Sequence, residues 1–190
     1  MNLLIKRLSD IFLSLFFIIL LLPLWGVIAI VIKINSSGPV FYKHLRVGKD
    51  SKEFICLKFR SMYHNSNETI LPTTSDDKRI TRVGKFLRRT SLDEIPQFIN
   101  VLLGDMSIVG PRPALPSQVK EFSNEDFDKL LVKPGLTGWT QINGRNSLPY
   151  KRRVEMDCWY GRNWSLLLDF QILFKTLFVL FKQEGIYETK

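Results

Sequence analysis

Cysteine and histidine are scarce in this chain of 190 residues. The two cysteines, Cys56 and Cys158, lie far apart and form no CxxC pair or cysteine–histidine spacing, which argues against a zinc site and against a disulfide framework. This cysteine usage is typical of a reducing compartment and favours cytoplasmic chemistry. His44 and His64 are the only histidines, so a mechanism that needs a histidine base has few candidates.

Acidic residues are also in short supply. Lysine and arginine total 27 against 18 aspartates and glutamates, which gives a formal net charge of +9. This balance favours anionic partners, namely nucleic acid, phosphorylated small molecules or anionic lipid headgroups, and does not decide among them. The chain has no internal repeat or low-complexity tract, and its length and 45% hydrophobic content predict one domain with a sizeable core.

One long apolar run extends from Ile11 to Ile34. As a helix that rises about 1.5 Å per residue, it would cover a hydrocarbon core of roughly 30 Å. No small-residue cleavage site follows the run, which argues against a cleaved signal peptide. Pro23 lies near its middle and predicts a bend, because proline removes a backbone hydrogen bond and clashes with the preceding turn.

Two topologies fit this run. Positively charged residues flank it on both sides: Lys6 and Arg7 before it, and Lys33, Lys43 and Arg46 after it. A re-entrant hairpin broken at Pro23 keeps both groups in the cytoplasm, as the positive-inside rule favours, but the backbone groups freed at the bend then need partners such as the Ser14 hydroxyl. A proline-kinked span is physically as good, so both topologies stay open on these grounds.

The chain after residue 35 is predicted to form a small α+β domain with short strands and several helices. Runs rich in β-branched and aromatic residues alternate with turn residues and with short helical patterns. The predicted elements are a strand pair at 38–48 and 52–62, a polar loop at 68–82, a short helix or turn at 83–91, a helix at 96–104 closed by Gly104, a helix at 123–132 capped by Ser123 or Asn124, and a glycine-rich loop with a strand at 133–145.

The last long element, at about 164–183, is predicted to be an amphipathic helix. Apolar residues recur on one side at spacings of three and four: Leu166, Phe170, Leu173, Phe174, Leu177, Phe178 and Phe181. Asp169 and Lys175 disfavour a second membrane span. The pattern fits a core helix, and it also fits a helix that lies in the membrane interface with Trp159 and Trp164 near its start.

The segment "SLDEIPQ" at 91–97 places two carboxylates, Asp93 and Glu94, side by side in a basic chain. A structural explanation exists, because Ser91-x-x-Glu94 matches a capping box and acidic residues are favoured in a first helical turn. Pro96 fits that explanation poorly, since proline is tolerated only in the first turn and would place the helix start closer to Asp93. The alternative is that the pair carries chemistry.

Basic residues occur in several short motifs around this pair. Lys58 and Arg60 belong to "KFRSM", Arg88 lies five positions before Asp93, and Arg112 stands between two prolines in "GPRP". Each one alone is compatible with solvated surface charge, and the proline motif with a structural turn. A stiff extended loop nevertheless suits a guanidinium that must bind phosphate or carboxylate through two nitrogens.

Three motifs together, "KFRSM" (58–62), "SLDEIPQFINVLLGDMSIVGPRP" (91–113) and "KPGLTGWTQINGR" (133–145), in this order behind an apolar hairpin, resemble the bacterial sugar transferase family, the monotopic phosphoglycosyl transferases. The resemblance covers nearly the whole chain and points to the small form of the family. It implies transfer of a sugar 1-phosphate from a UDP-sugar to undecaprenyl phosphate with release of UMP, on the cytoplasmic face of the bacterial inner membrane. It also implies a re-entrant membrane helix at 1–35 broken at Pro23, and a cytosolic catalytic domain at 36–190.

The resemblance assigns roles to individual residues. Asp93 is expected to be the nucleophile that becomes phosphorylated, and Glu94, with Asp93, to hold Mg²⁺. The expected substrate-binding residues are Lys58, Arg60, Arg88, Arg112 and Arg145. One departure from the family pattern is Leu22 before Pro23, where members often have serine, so the depth and angle of the membrane bend stay open.

Other functions are weighed against this one. A magnesium-dependent phosphatase would use the same dyad and pass the phosphoryl group to water. A membrane-tethered nucleic-acid-binding protein would explain the positive charge but leaves the dyad without a role, so no nucleic-acid partner is expected. Anionic membrane lipids, a second copy of the chain and downstream glycosyltransferases are further candidate partners. The sequence does not identify the sugar; N-acetylated UDP-sugars come first, followed by UDP-galactose and UDP-glucose.

Overall fold

The computed structural model describes residues 1–64, 66 and 77–182. Most of the predicted polar loop at 68–82 lies outside these residues. Within them the fold is a mixture of helices and short strands behind a long N-terminal helix, as predicted. The α-helices are α1 (Asn2–Asn35), α2 (Arg82–Arg89), α3 (Gln97–Leu103), α4 (Pro116–Val119), α5 (Trp139–Ile142), α6 (Tyr150–Asn163) and α7 (Leu166–Lys182). The strands are β1 (Phe41–Val47), β2 (Glu53–Phe59), β3 (Ser107–Val109) and β4 (Gly135–Thr137), and short 3-10 helices lie at Lys49–Ser51, Leu92–Glu94, Asn124–Leu131 and Arg145–Ser147.

The predicted strand pair is confirmed. Strands β1 and β2 form an antiparallel hairpin whose register runs from Phe41 opposite Phe59 to Val47 opposite Glu53. The connection is tight because Asp50 and a neighbouring serine adopt positive φ angles. One end of β2 thereby carries the "KFRSM" motif into the interior of the domain.

A second, smaller sheet joins two of the sequence motifs. Strands β3 and β4 pair in parallel, with Ser107 opposite Gly135 and Val109 opposite Thr137. Gly110 and Gly135 must both be glycine. A Cβ atom on Gly135 would lie 2.1 Å from the Gly110 nitrogen, and one on Gly110 would lie 2.3 Å from the Lys133 carbonyl oxygen. This close backbone contact holds the "GPRP" loop against the "KPGLTG" segment.

Helix α1 has 34 residues and runs through Pro23 as one helix. It is long and apolar enough to cross a membrane by length and composition, and only 11% of its most apolar stretch is buried. Ser14 was expected to provide a hydrogen bond for backbone groups freed at Pro23. Contrary to that prediction, its hydroxyl is buried and has no hydrogen-bond partner among residues 1–64, 66 and 77–182.

The N-terminal end of α1 is bound to the domain by charged residues. Lys6 forms an ion pair with Asp169 of α7, with 2.6 Å between Nζ and Oδ2, and Arg7 donates hydrogen bonds to the last carbonyl groups of α3. Asp10 is buried and accepts hydrogen bonds from the Ser107 hydroxyl and the Ile108 backbone N–H, each at 3.0 Å. Lys6 and Arg7, which the sequence indicated as the basic flank of a membrane segment, therefore also bind the rest of the domain.

The C-terminal end of α1 contacts the same domain. Ile28 and Ile32 form a buried cluster with Phe59, Leu87 and Ile95. A second cluster fills the space between the hairpin, β3 and the last two helices, and consists of Cys56, Val101, Met106, Ile108, Val109, Tyr160, Leu168 and Ile172. Burial of these apolar side chains, at about 25 cal/mol per Å² removed from water, is the main force that holds the elements together.

Helix α7 has one buried side and one uncovered apolar side. Ile172 and Asp169 face the domain, and Asp169 also accepts hydrogen bonds from the Tyr160 hydroxyl and the Trp164 indole. On the side that the sequence pattern marked as apolar, Phe170 is 67% and Phe174 57% exposed. The helix thus fills part of the core, and its phenylalanine side lacks a protein partner within the described chain.

Candidate active site

The carboxylate pair lies on a single 3-10 turn, Leu92–Glu94, between α2 and α3. Ser91 precedes the turn with φ of 58°, a left-handed conformation, and its side chain makes no capping hydrogen bond. The Glu94 carboxylate does not reach back to Ser91 as a capping box requires. The structural explanation of this motif is therefore wrong, and α3 instead begins after Pro96 and ends at Gly104, with φ of 95°.

Glu94 is held by two cations from separate parts of the chain. Its Oε1 atom lies 2.5 Å from Lys58 Nζ on β2 and 3.4 Å from Arg112 Nη2 in the loop after β3. Burial alone would raise the pKa of Glu94, but the charges of Lys58 and Arg112 outweigh burial and hold that pKa well below its usual range. The glutamate is consequently ionised at all physiological pH values.

Asp93 has a contrasting environment. Its residue is only 7% exposed, and its carboxylate makes no hydrogen bond or ion pair with any residue in the part of the chain that the structure describes. Burial raises the pKa of Asp93 to about 6, with the negative charge of Glu94 acting in the same direction and the charge of Lys58 acting against it. Asp93 is thus a nearly buried carboxylate with no partner among the residues that the structure describes.

Two further predicted arginines lie near the dyad. Arg88, at the end of α2, contributes to lowering the pKa of Asp93, and its Nε donates a hydrogen bond of 2.9 Å to the Ser61 hydroxyl. Arg145 has a φ of 51° at the start of a 3-10 turn, and its positive charge acts on Glu94. The structure therefore brings Lys58, Arg88, Arg112 and Arg145 together around Asp93 and Glu94.

Arg60 is the predicted substrate-binding residue that occupies a different place. It is 5% exposed, and its guanidinium donates hydrogen bonds to the backbone carbonyls of Ser36 and Ser37, just after α1. Because strand residues alternate in direction, Lys58 and Arg60 would be expected on the same side, but β2 ends at Phe59. Arg60 anchors the end of α1 and makes no described contact with the dyad.

The sequence indicated Arg46 only as a flanking charge, whereas the structure places it against the loop that carries Arg112. Arg46 lies on β1, where its guanidinium approaches the Pro113 carbonyl at 3.5 Å and His44 Nδ1 at 3.2 Å. Burial, followed by the charge of Arg112, lowers the pKa of Arg46 to about 10. This position follows from the register of the hairpin, which brings the end of β1 beside the "GPRP" loop. The register is the signal that could have placed Arg46 near Arg112.

The donor set can be compared with the needs of a magnesium ion. Among residues 1–64, 66 and 77–182, no group of three or more His, Cys, Asp or Glu side chains is placed to hold a metal. Mg²⁺ is usually bound by one or two carboxylates together with water and substrate phosphates. Asp93 has no partner within the described chain, and Lys58 and Arg112 both contact Oε1 of Glu94, so the dyad fits an ion that arrives with a phosphorylated substrate.

Fold and site together define a domain with an uncovered apolar helix and a cation-lined carboxylate dyad suited to phosphate chemistry. The chain belongs to the bacterial sugar transferase family, whose model matches residues 1–183. It is 42% identical over 199 residues to the UDP-galactose-lipid carrier transferase of Erwinia amylovora, an alignment that covers 96% of this chain. It is 44% identical over 200 residues to the UDP-glucose:undecaprenyl-phosphate glucose-1-phosphate transferase of Escherichia coli K12, with 98% of this chain covered.

The relatives differ in length. The chain spans 42% of the length of both of these transferases. It matches 88% of the exopolysaccharide production protein ExoY of Sinorhizobium fredii, at 38% identity over 198 residues and 96% of this chain. The dyad and its cations fall within the matched region in every case.

Proposed function

We propose that this protein transfers a sugar 1-phosphate from a UDP-sugar to undecaprenyl phosphate and releases UMP. The names of two relatives, which describe transfer to a lipid carrier or to undecaprenyl phosphate, support the substrate classes. The observation that carries the proposal is the contrast within the dyad. Glu94 is ionised and forms ion pairs with Lys58 and Arg112, whereas Asp93 is nearly buried with no partner among the described residues.

In the first half-reaction, Asp93 acts as the nucleophile. A carboxylate oxygen attacks the phosphorus that bears the sugar, an acyl-phosphate bond forms, and the bond from that phosphorus to the bridging oxygen breaks. UMP leaves with the bridging oxygen and its electron pair, so no histidine is needed to move a proton. Asp93 suits this role because its carboxylate has no hydrogen bond within the described chain that would have to be broken before the attack.

In the second half-reaction, an oxygen of undecaprenyl phosphate attacks the same phosphorus. The bond between that phosphorus and the Asp93 oxygen breaks, and the carboxylate is regenerated as the lipid diphosphate sugar forms. Two successive displacements at one aspartate predict ping-pong kinetics. The acceptor phosphate must reach the same site from the membrane side of the domain.

The surrounding cations make the approach of one anion to another feasible. Lys58 and Arg112 neutralise Glu94 and present further N–H donors to the diphosphate oxygens, and Arg88 and Arg145 add positive charge on other sides of the dyad. Such preorganised charge is commonly the largest contribution to phosphoryl transfer. Mg²⁺, held by Glu94 and Asp93 together with the substrate, would supply additional charge neutralisation at the diphosphate.

The membrane arrangement is also part of the proposal. Helix α1 would enter the inner membrane from its cytoplasmic face and leave it on the same face, bending at Pro23 while staying one continuous helix, so that the domain stays on one side. Support comes from its two ends: Asp10 is hydrogen-bonded to β3, and Arg60 binds the residues that follow Asn35. A helix with both ends bound to one domain is poorly placed to cross a bilayer. The uncovered Phe170 and Phe174 of α7 would lie in the interface.

The experiment is a UMP-release assay on the detergent-solubilised protein with a panel of UDP-sugars, undecaprenyl phosphate and Mg²⁺. We expect release with at least one UDP-sugar, dependence on both the lipid and Mg²⁺, and loss of release in the D93N variant. Equal release without the lipid would favour the phosphatase alternative, and absence of release with every UDP-sugar would overturn the proposal. Mass spectrometry of the trapped intermediate should find the sugar phosphate on Asp93.

A further inference from the structure

Ser61 connects the end of β2 with both ends of α2. Its hydroxyl accepts the hydrogen bond from Arg88 Nε at 2.9 Å, near the C-terminal end of that helix. Its backbone carbonyl accepts a hydrogen bond from the Thr81 N–H at 3.1 Å, at the N-terminal end. Ser61 is 8% exposed, so these contacts are largely shielded from water.

The contact between Ser61 and α2 is unusually close because of a glycine. A Cβ atom on Gly84 would lie 1.8 Å from the Ser61 carbonyl oxygen, a distance that no other residue could accept without displacing the helix. Thr81 caps the same helix by accepting a hydrogen bond from the Gly84 N–H at 2.8 Å. The position of α2 relative to Ser61 is therefore fixed by backbone contacts, and the Ser61 hydroxyl is free to act on the arginine.

The hydrogen bond at Nε leaves the two terminal nitrogens of the Arg88 guanidinium, Nη1 and Nη2, available to bind a phosphate. A guanidinium binds phosphate best through two parallel N–H donors. Neither Nη1 nor Nη2 of Arg88 has a hydrogen-bond acceptor within residues 1–64, 66 and 77–182. Fixing Nε restricts rotation of the side chain and sets the direction in which the two terminal nitrogens of the planar guanidinium point, in a site where the charge of Arg88 acts on Asp93.

We propose that Ser61 is a positioning residue that orients the Arg88 guanidinium so that its two terminal nitrogens bind the diphosphate of the nucleotide sugar beside Asp93. The inference rests on the proposed function for the identity of the substrate. Ser61 itself touches no reacting atom, and its effect passes through Arg88. The neighbouring residues of "KFRSM" have separate duties, since Lys58 pairs with Glu94 and Arg60 holds the end of α1.

The first test is the affinity for inorganic diphosphate without Mg²⁺, measured by titration calorimetry on the full chain in detergent. We expect Ser61→Ala and Arg88→Ala each to weaken binding about tenfold, as is typical when a hydrogen bond to a charged group is lost. The double variant should bind no more weakly than Arg88→Ala alone, because Ser61 acts only through that arginine. Unchanged binding in Ser61→Ala, or additive losses in the double variant, would overturn the inference.

Thr81→Ala provides the matched control. This change removes the cap of α2 but leaves the bond between Arg88 and Ser61 in place. If Ser61 served only to stabilise α2, Thr81→Ala would weaken diphosphate binding as much as Ser61→Ala does. We expect Thr81→Ala to lower the melting temperature and to leave diphosphate affinity within about twofold of the wild-type value.

The second test separates this inference from the proposed function. UMP release is measured for the wild type and for Ser61→Ala over a range of UDP-sugar concentrations, and we expect about a tenfold lower kcat/KM in the variant, mostly through a higher KM. Loss of diphosphate affinity in Ser61→Ala with no UMP release from the wild type would uphold the role of Ser61 and overturn the proposed function. Normal UMP release from both proteins would uphold the function and overturn the role of Ser61.

Discussion

Lys58 Nζ lies 2.5 Å from Glu94 Oε1, and this ion pair joins the end of the hairpin to the 3-10 turn Leu92–Glu94. The two residues are 36 positions apart in the chain, and both side chains are largely shielded, with 16% and 20% exposure. Removing either partner of such an ion pair is costly, because the other charge stays shielded from water with less compensation. The pair thus sets both the geometry and the charge of the site.

Replacing Lys58 with methionine should reduce turnover severely. The variant keeps the apolar stem but leaves Glu94 with Arg112 as its one ion-pair partner among the described residues, so the diphosphate approaches a carboxylate whose charge is less well compensated. Loss of one preorganised donor typically lowers kcat by about 10² to 10³. UMP release measures the effect, and Lys58→Arg serves as the charge-preserving control. Turnover within a few-fold of the wild type in Lys58→Met would contradict the role given to this residue.

The rate should depend on the ionisation of Asp93. In the proposed mechanism only the ionised carboxylate attacks, and the pKa of Asp93 is raised to about 6, so kcat/KM for the UDP-sugar should fall as pH drops through that value. In Lys58→Met the fall should begin at a higher pH, since the lysine charge lowers the pKa of Asp93. A profile that stays flat down to pH 5 in the wild type would show that Asp93 does not limit the reaction.

Asp93→Asn should inactivate the protein and stabilise its fold. A folded pKa of about 6, above the ordinary value of about 3.9, means that the folded state prefers protonated Asp93. The resulting penalty is absent below pH 4, grows as pH rises to 6 and is complete above it. The D93N variant should therefore gain about 2 to 3 kcal/mol at pH 7.5 without metal. Denaturant unfolding at pH 7.5 and pH 4 tests this, and an equal gain at both pH values would refute it.

Gly84→Ala should displace helix α2. The added methyl group would lie 1.8 Å from the Ser61 carbonyl oxygen, and an overlap of this kind with backbone typically costs about 1 to 3 kcal/mol or more. Arg88 would move with the helix, so diphosphate affinity should fall together with thermal stability. Gly26→Ala is the control, since a Cβ atom there has nothing within 4 Å. Equal stability of the two variants would show that α2 can shift without loss.

Single cysteines at Asn2 and Ser37 test the membrane arrangement. If both ends of α1 lie on one side, an impermeant maleimide should label both positions in vesicles of one orientation and neither in the opposite orientation. The native cysteines are 1% and 2% exposed and should add little background. Labelling of the two positions from opposite sides would rule out the re-entrant topology and leave a span.

Local sequence patterns predicted many of the elements correctly. Alternation of β-branched and aromatic residues located the hairpin, and Gly104 marked the end of α3, because these signals act between residues a few positions apart. The same local logic failed at Ser91, where the spacing of a capping box matched but the backbone adopted a left-handed conformation. The family resemblance grouped Arg60 with the substrate-binding residues, whereas its guanidinium binds the backbone just after α1, because β2 ends at Phe59 and the alternation of side chains stops there.

The sequence by itself determined that the chain has a long apolar N-terminal helix, an excess of positive charge and two adjacent carboxylates, since composition and spacing are properties of the chain alone. Only the tertiary structure decided that Glu94 forms ion pairs with Lys58 and Arg112, while Asp93 has no partner in the described chain. The physical reason is that burial and charge pairing depend on residues that are far apart in sequence. These residues meet when β2, the 3-10 turn Leu92–Glu94 and the loop after β3 pack together. Two carboxylates that are neighbours along the chain thereby acquire pKa values displaced in opposite directions.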